Sequence, residues 1–519
     1  MLQNTIYVML LSLCISVNLV FAQLEEKKEV DSPKIELPEV MIFGENESKI
    51  LPVKEKNMQS FDVTPKLNTT SQTSVLETQE KIMPQMQKFE EGKNRFGEIT
   101  TSAGNHNIYK LNTLYGMQIG ELNYFVDIFK YKDDGALENS GNDFQGIALN
   151  TNYKLDTDSA VSLDTVYDDK IKEFPFVNPV FHKLHRKHYF FDISAKTGFT
   201  KDIFPGFSTF FEGTSLTEQG YDNIAQGGNV FSDIKFFTTD INHSIRVSLG
   251  WWKDSIFNGV WNFTASDYIN VSPYIFNFGF TYSGSKITPN LDVYYGITRE
   301  TTFYFKYKPE LYYPKFSQIY TGEYYFEVNP NLQPSWQWLD LTLGAEHIFS
   351  ETVSGTFEVY RKEIDNYIIW DDTDGDKLWT PLNVQSISEA GMNFTIVWKI
   401  LPELIQTVSY NFISAFNNIE PGKAIPYLSR DKLKTNWQYL NSGWEADLYL
   451  NVIGARPYTQ SGTATLPAYV LLDTQISKEI TNWLKVFFAG ENLLNRYYEK
   501  WFEYPELSAT FRVGLTAKF

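Results

Sequence analysis

Histidines are the residues of this sequence whose spacing most directly suggests chemistry. His182, His185 and His188 recur at every third position in the stretch His-Lys-Leu-His-Arg-Lys-His. Three imidazoles at this spacing could bind a transition metal if the chain folded around the ion. Basic side chains surround them, and their charge would repel a cation: Lys170, Lys183, Arg186 and Lys187. We therefore favour a basic surface loop that contacts anionic lipopolysaccharide or an anionic ligand over a metal site.

The acidic run Asp-Asp-Thr-Asp-Gly-Asp at residues 371–376 is a second candidate. Asp372, Asp374 and Asp376 stand at alternate positions beside a glycine, and hard oxygen ligands in a tight turn suit calcium. A loop of the EF type would need Glu at its twelfth position, where Asn383 stands instead. An acidic hairpin loop without metal is the alternative that we favour, so no metal or other cofactor is predicted.

The pattern of the chain predicts strands as the elements that position these side chains. Aromatic residues make up 16% of the sequence, and mean hydropathy is −0.30. From Phe96 onward, short segments rich in Phe, Tyr, Val and Thr alternate with polar turns. A membrane helix would need roughly 20 consecutive apolar residues, whereas only every second residue of a transmembrane strand meets lipid. The net charge of −18 argues against nucleic acid as a partner.

The last strand, Ser508–Phe519, shows the alternation most clearly. Its odd-numbered residues are apolar and end on the aromatic Phe519, while its even-numbered residues are polar or small. Because successive side chains point to opposite faces, one face suits lipid and the other a polar interior. A half-buried strand of a soluble sandwich is the alternative interpretation.

The lengths of the connections distinguish these two interpretations. About 22 alternating segments can be placed between Phe96 and Phe519. Connections from even to odd strands are short, as at Gln118-Ile119-Gly120, whereas many from odd to even strands are long, as at 309–335. Short periplasmic turns and long outer loops are typical of outer-membrane barrels. We therefore predict an all-β fold, a transmembrane antiparallel β-barrel of about 22 strands.

The residues before the barrel predict a signal peptide for export and, after it, a polar tail. Residues 1–22 carry an apolar run and end in Val-Phe-Ala, which is typical of a cleaved signal peptide, although no Lys or Arg precedes the run. An uncleaved anchor is the alternative. The single cysteine, Cys14, lies within this segment, so the mature chain would have no disulfide. Residues 23–95 are polar and predict a mostly disordered periplasmic extension ahead of the barrel at 96–519.

Several loop motifs resemble those of TonB-dependent outer-membrane receptors. The segment 313–320 resembles the stretch that precedes a long loop in these receptors, and Asn329-Pro330-Asn331-Leu332-Gln333-Pro334 matches an Asn-Pro-x-Leu-x-Pro signature. Further resemblances follow in order along the last part of the chain: Ile425–Lys432, Leu466–Asp473, Gly490–Asn495, Tyr497-Tyr498-Glu499 and Tyr504-Pro505. The resemblance implies an integral protein of the bacterial outer membrane, with Phe519 as the signal that the outer-membrane assembly machinery recognises.

The N-terminal tail contains one more resemblance and one departure. Leu37-Pro38-Glu39-Val40-Met41-Ile42-Phe43 is similar to the family's energy-coupling box, which pairs as an added strand with TonB. A Pro-bounded apolar patch in a disordered tail is the alternative. The family's plug domain, which fills the lumen, has no counterpart between Gly44 and the first strand. We therefore expect residues 23–93 to occupy part of the lumen, or a separate plug or partner protein to occupy it.

The resemblance implies transport of an unknown substrate across the outer membrane. The alternative is a barrel that does not transport and acts as a surface-binding or assembly partner in contact with membrane lipid. An enzyme is not expected, because His106, His243 and His347 fall at or beside predicted turns. Aromatic residues in the loops are the candidate ligand contacts, namely Tyr324, Tyr325, Phe326 and Trp370. Tryptophans near strand ends are assigned to the membrane interface, namely Trp251, Trp252, Trp336, Trp338, Trp444 and Trp483.

Overall fold

The chain forms a closed antiparallel β-barrel of 22 strands, as predicted. The structure, a computed structural model, describes residues 95–519 except 138–139, 157–158, 174–182, 201, 217–219, 238–240, 315–318, 320–327, 372–379 and 503. The expected signal peptide, the N-terminal extension and the box at Leu37–Phe43 therefore lie outside the described residues. No helix in the described part of the chain is long and apolar enough to cross a membrane.

The first half of the barrel wall is a run of hairpins. Its strands are β1 (Arg95–Gly104), β2 (Tyr109–Ile119), β3 (Leu122–Asp133), β4 (Asn142–Lys154), β5 (Ala160–Glu173), β6 (Lys183–Lys196), β7 (Ile203–Leu216), β8 (Tyr221–Phe237), β9 (Asn242–Lys253), β10 (Val260–Val271), β11 (Tyr274–Ser283), β12 (Lys286–Gly296) and β13 (Thr301–Tyr307). The short β14 (Glu310–Tyr312) continues the wall beside β15.

The second half contains the longest strands and two small hairpins outside the wall. Its wall strands are β15 (Ser335–Ser350), β16 (Val353–Asp371), β17 (Thr380–Leu401), β18 (Leu404–Asn417), β19 (Asp431–Asn441), β20 (Trp444–Ile453), β23 (Tyr469–Thr481), β24 (Leu484–Glu491) and β27 (Thr510–Lys518). The small hairpins pair β21 (Arg456–Pro457) with β22 (Thr465–Leu466), and β25 (Glu499–Trp501) with β26 (Tyr504–Pro505).

The terminal strand closes the barrel. β27 pairs with β24 on one side and with β1 on the other, from Glu98↔Lys518 to Gly104↔Arg512. Its apolar face is exposed outward, with Val513 67% and Phe519 63% accessible, as lipid contact requires. On the inner face Thr100 and Thr516 share a hydrogen bond of 2.9 Å. The predicted assignment of the two faces is therefore confirmed.

The seam between the first and last strands is tightest at Phe519. Gly97 and Phe519 exchange two backbone hydrogen bonds, each 2.9 Å long. The ring of Phe519 covers Gly97, where an added Cβ would stand 2.3 Å from Cε2 of the ring. Tyr115 stacks on the same ring with centroids 6.5 Å apart. The close approach of ring and backbone requires glycine at position 97.

The two rims of the barrel differ, as the connection lengths predicted. On one rim the connections span two to six residues, such as the turn between β19 and β20. On the other rim they are mostly longer, and the β13–β15 connection at 308–334 is the longest. Long loops mark the outer side of such barrels, so this rim is the outer one.

Several strands extend further outward than the alternation predicted. β5 continues to Glu173 and β6 begins at Lys183, so His185 and His188 lie in a strand and not in a loop. Their side chains point to opposite faces of the sheet, and this excludes a shared metal ion. His182 lies outside the described residues.

Candidate functional site at the outer rim

Outer connections converge on one apolar cluster over the mouth of the barrel, which we call the outer cap. Its members come from the outer ends of β6, β7 and β16 and from four long connections. The buried members are Leu184, Leu216, Ile319, Leu332, Trp370, Tyr427, Tyr458, Leu466 and Trp501. Because these residues belong to strands and loops spaced around the barrel, their burial together shows that outer connections from different parts of the wall meet and pack on one another.

Arg456 joins two of the connections that build the outer cap. Its side chain is 2% exposed, and its guanidinium donates hydrogen bonds to the carbonyl oxygens of Glu499 (2.5 Å) and Lys500 (3.1 Å). The same guanidinium stands 5.3 Å from the ring centre of Tyr469, which packs on Tyr498 at 4.6 Å. Burial raises the pKa of the Tyr498 hydroxyl, so the Tyr498 ring stays neutral. Arg456 thus fixes β25, and with it Trp501, against the β20–β23 connection.

A second contact ties the β18–β19 connection to the same loops. The backbone N–H of Tyr427 donates to the carbonyl of Pro457 at 2.5 Å, and that of Ala424 donates to Gln460 at 2.8 Å. The ring of Tyr427 lies 5.3 Å from that of Trp501. Tyr427 has a φ of 61°, a left-handed conformation that the surrounding packing must hold. Three loops are therefore hydrogen-bonded and packed into one unit.

The motif Gly490–Asn495 organises the last outer connection from within. The backbone N–H of Asn492 donates to the Asp473 carboxylate at 2.7 Å. Its side-chain amide donates to the carbonyls of Arg496 (2.8 Å) and Leu507 (3.1 Å) and accepts from the Arg496 N–H (2.9 Å). One buried asparagine therefore holds both ends of the connection, which explains why asparagine and aspartate stand at these motif positions.

The long β16–β17 hairpin supplies Trp370 to the outer cap. Asn366, within β16, has a φ of 55°, which non-glycine residues seldom adopt. Its carbonyl accepts hydrogen bonds from the Ser335 hydroxyl and the Asn383 amide, both at 2.8 Å. Beyond this point Ile369 is 1% and Trp370 4% exposed. The outer end of the hairpin is thus packed into the outer cap.

A buried ionic group, which we call the wall cluster, lies on the lumen face directly below the outer cap. Asp168 on β5 accepts from Arg186 Nη2 at 2.8 Å and stands 2.9 Å from His188 Nδ1, both on β6. The other ring nitrogen of His188 is 3.1 Å from Glu212 on β7. All four side chains are at most 5% exposed. The wall cluster therefore bonds three neighbouring strands.

The pairing register of β6 and β7 places the wall cluster close to the outer cap. Arg186 pairs with Leu216, and Leu184 is two residues further out on the same face of β6. Thr214 pairs with His188 in the same ladder. Since strands rise about 3.3 Å per residue, the ionic group lies within roughly 15 Å of the cap leucines.

Of the residues predicted as ligand contacts or metal ligands, some lie in the described part of the chain and others do not. Trp370 lies in β16 and is packed into the outer cap, so its role as a ligand contact stays a prediction. Tyr324, Tyr325 and Phe326 lie outside the described residues, as do Asp372, Asp374 and Asp376. Within the described residues, no group of three or more His, Cys, Asp or Glu side chains is arranged to hold a metal ion.

Sequence reasoning missed the two arrangements that define this site. The wall cluster was hidden because its members were assigned to a basic loop and to separate strands. No sequence pattern marks Arg456 as a site residue, because its hydrogen-bond partners are backbone carbonyls 43 and 44 residues further along the chain. The loop motifs were the available signal, since Leu332, Tyr427 and Leu466 all lie within them.

Comparisons with known proteins fit this architecture. The family described as "TonB dependent receptor-like, beta-barrel" matches residues 89–493. A vitamin B12 transporter, BtuB, from Photobacterium profundum is 24% identical over 358 residues. That match covers 63% of this chain and 57% of the transporter, so the chain spans less than two thirds of that relative's length.

Solved receptor structures share the fold. The siderophore receptor PiuA from Acinetobacter baumannii superposes with a TM-score of 0.66 at 11% identity, covering 82% of both chains. The ferric-catecholate import receptor Fiu from Escherichia coli K12 gives 0.64 at 11% identity, again covering 82% of both. The ferric enterobactin receptor PfeA from Pseudomonas aeruginosa gives 0.67 at 12% identity, covering 82% of this chain and 81% of that one.

Proposed function

Because this chain belongs to the family of TonB-dependent receptor-like β-barrels, integral proteins of the outer membrane, we propose that it takes part in substrate uptake through its lumen. The outer cap is the observation that carries the proposal. A fixed pore needs no apolar cluster of converging loops over its mouth, whereas a barrel that admits a substrate on demand does. Directly below the outer cap, the lumen wall carries the buried ionic side chains of the wall cluster, which suit passage of a polar solute.

The relatives support a proposal for the substrate class. Vitamin B12 and ferric siderophores are named for the transporter and receptors that this chain resembles. Both are large solutes, and a barrel of 22 strands encloses a wide lumen. We propose a solute of this size class for this chain.

Uptake assays with two probes test the proposal. Cells that express the chain are given labelled cyanocobalamin or ferric enterobactin, with vector-only cells and cells lacking TonB as controls. Saturable accumulation of either probe that disappears without TonB is the expected result. No binding or accumulation of either probe would argue for the alternative, a barrel that does not transport. No specific contact of the described residues favours that alternative.

Coupling to TonB forms a separate part of the proposal. Members of this family interact with TonB, and residues 37–43 resemble the box through which they do so. A pull-down with the periplasmic domain of TonB compares the full chain with one lacking Leu37–Phe43. We expect deletion to abolish capture, and undiminished capture would exclude this segment as the box.

The lumen is proposed to hold residues 23–93 or a separate polypeptide. Planar-bilayer conductance of the intact chain and of a variant lacking residues 23–93 distinguishes the two cases. A rise in conductance on deletion supports the tail as occupant. Equal, small conductance in both would defeat that role and favour a separate partner.

Phe519 is proposed as the signal for the outer-membrane assembly machinery. Its ring also seals the β1–β27 seam, so loss of assembly and loss of stability must be separated. Phe519→Ser should reduce insertion into the outer membrane in cells, while Tyr115→Ser, which leaves the Phe519 ring in place, should not. Equal amounts of folded Phe519→Ser and wild-type barrel would count against the assembly role.

A further inference from the structure

The outward face of strands β3 to β6 changes from apolar to charged near the outer rim. Its last apolar row contains four side chains that pair in register across the four strands, namely Ile128, Ile147, Tyr167 and Tyr189. Each of them is exposed, by 41% to 45%. Exposed apolar side chains on the outward face of a barrel meet lipid acyl chains. This row therefore marks the outer edge of the apolar band on this side of the barrel.

The rows above this edge, which we call the basic ledge, are charged or polar except for one isoleucine. Successive rows are two residues apart, or about 6.6 Å along the strands. The outward positions of these rows hold Lys130, Gln145, Asp169, Lys187, Lys132, Asp143, Ile171, His185, Glu173 and Lys183. Because the basic ledge lies directly above the apolar band, it stands at the level of the outer lipid headgroups.

The inner face of the same strands carries other cations, which do not belong to the basic ledge. Lys170, Lys172 and Arg186 alternate with the outward residues along β5 and β6. Their side chains therefore point to the lumen side of the sheet. The charges that face lipid are those of the basic ledge alone.

Each carboxylate of the basic ledge is bonded to a neighbouring cation. The pairs are Lys130–Asp143 at 3.3 Å, Lys183–Glu173 at 2.8 Å and His185–Asp169 at 2.6 Å. Lys132 stands opposite Asp143 in register, and Lys187 stands opposite Asp169. Among the described residues, however, neither of these two lysines has a carboxylate oxygen within 4.0 Å of its amine. The basic ledge thus has more cations than carboxylates, and two amines are open to an anionic partner.

Phosphate on a lipid is the anion that suits this arrangement. Lysine ammonium groups bind phosphate as point charges, and basic side chains at a membrane surface attract anionic headgroups. Lys132 and Lys187 lie three strands apart, or about 14 Å, so they reach separate phosphates. A lipid with two phosphates can contact both amines while its acyl chains cover the apolar row below. A soluble anion would use the amines alone.

We propose that the basic ledge binds the phosphate groups of lipopolysaccharide in the outer leaflet, through Lys132 and Lys187. The sequence predicted such a contact for a basic loop around residues 182–188. The structure puts Lys187 on β6 and brings Lys132 of β3 to the same surface. This role goes beyond the proposed uptake, because the basic ledge faces lipid and not the lumen.

Native mass spectrometry of the full-length protein in detergent measures this binding. The probe is lipid A with two phosphates, and phosphatidylglycerol and inorganic phosphate are compared with it. Lys132→Gln together with Lys187→Gln should weaken lipid A binding about 25-fold, because each basic side chain near an anionic surface contributes roughly fivefold in affinity. Lys132→Arg together with Lys187→Arg keeps both charges and should bind lipid A as the unchanged protein does.

Two lysines at the opposite rim provide a matched control. Lys399 and Lys478 lie near the ends of β17 and β23 that lead into short turns. Lys399→Gln together with Lys478→Gln removes the same charge and should leave lipid A binding unchanged. The unchanged protein should also bind lipid A more weakly as salt rises from about 0.05 M to about 0.5 M, since salt screens exposed charges.

Three results would overturn the proposal. The first is equal lipid A affinity of the two glutamine variants, and the second is binding that does not depend on salt. The third is binding of phosphatidylglycerol or inorganic phosphate to the unchanged protein as tightly as lipid A, which would show a surface for any phosphate. Because transport is not measured, these outcomes are independent of whether uptake is observed.

Discussion

Arg456 is predicted to hold the closed outer cap together. In Arg456→Met the aliphatic volume stays while the guanidinium is lost. The structure gives it two hydrogen bonds to backbone carbonyls and one aromatic contact. Hydrogen bonds from a charged donor contribute about 1.5–3 kcal/mol each, and a cation–π contact about 0.5–2 kcal/mol. Taking the lower values, local opening becomes easier by about 3.5 kcal/mol, or roughly 300-fold.

Hydrogen exchange measures this local opening free energy directly. Amides of the 454–468 and 492–509 connections should exchange roughly 300-fold faster in Arg456→Met, while amides of the barrel wall keep their rates. Lys500→Met is the matched control, since its ion pair with Glu506 is solvent-exposed and contributes less than about 1 kcal/mol. Unchanged exchange in both connections of Arg456→Met, or equal effects of the two variants, would refute the reasoning.

Three further substitutions test other parts of the account. Gly97→Val should drive the Phe519 ring from the seam and lower stability by about 1–3 kcal/mol, measured as a lower temperature for loss of the folded band in semi-native electrophoresis. Asn492→Ala should free the last outer connection, by about 2–3 kcal/mol for its lost hydrogen bonds, and expose Arg496 to trypsin in folded barrels. Asn366→Val should cost about 1–2 kcal/mol, because a branched residue tolerates a positive φ poorly, and should raise tryptophan quenching by iodide.

The barrel itself could be predicted because lipid imposes a periodic pattern. Each predicted segment corresponds to a wall strand, and the parity of connection lengths appears in the structure. Within Ser508–Phe519 the strand β27 covers Thr510–Lys518, and its residues lie on the predicted faces, since both lipid and lumen select residue type there. This is the part of the chain in which local sequence and environment agree.

The outer ends of the strands could not be predicted in the same way. Beyond the membrane both faces of a strand meet water or loops, and the alternation disappears. Lys183, His185 and Lys187 then resemble a basic loop, although each pairs within the β5–β6 ladder. The tertiary register, which the local pattern does not contain, keeps these residues in a strand.

The site escaped prediction because its contacts join distant segments. His188 reaches partners 20 and 24 residues away on two other strands, and the outer cap combines residues from Leu184 to Trp501. Motifs such as Leu466–Asp473 predicted the family, but not that their apolar residues meet over the mouth. Aromatics at loop positions suggested free ligand contacts, whereas Trp370 is buried among other loops.

Conductance of the barrel with one loop of its outer cap removed tests the central claim most directly. The variant lacks residues 23–93, and its 456–466 segment is replaced by a short Gly-Ser link between β20 and β23, whose ends pair at Ile453 and Tyr469. If the lumen is a path closed outside by the outer cap, this variant should conduct in planar bilayers far more than the one lacking residues 23–93 alone. Equal conductance of the two would contradict the claim that the outer cap closes an uptake path.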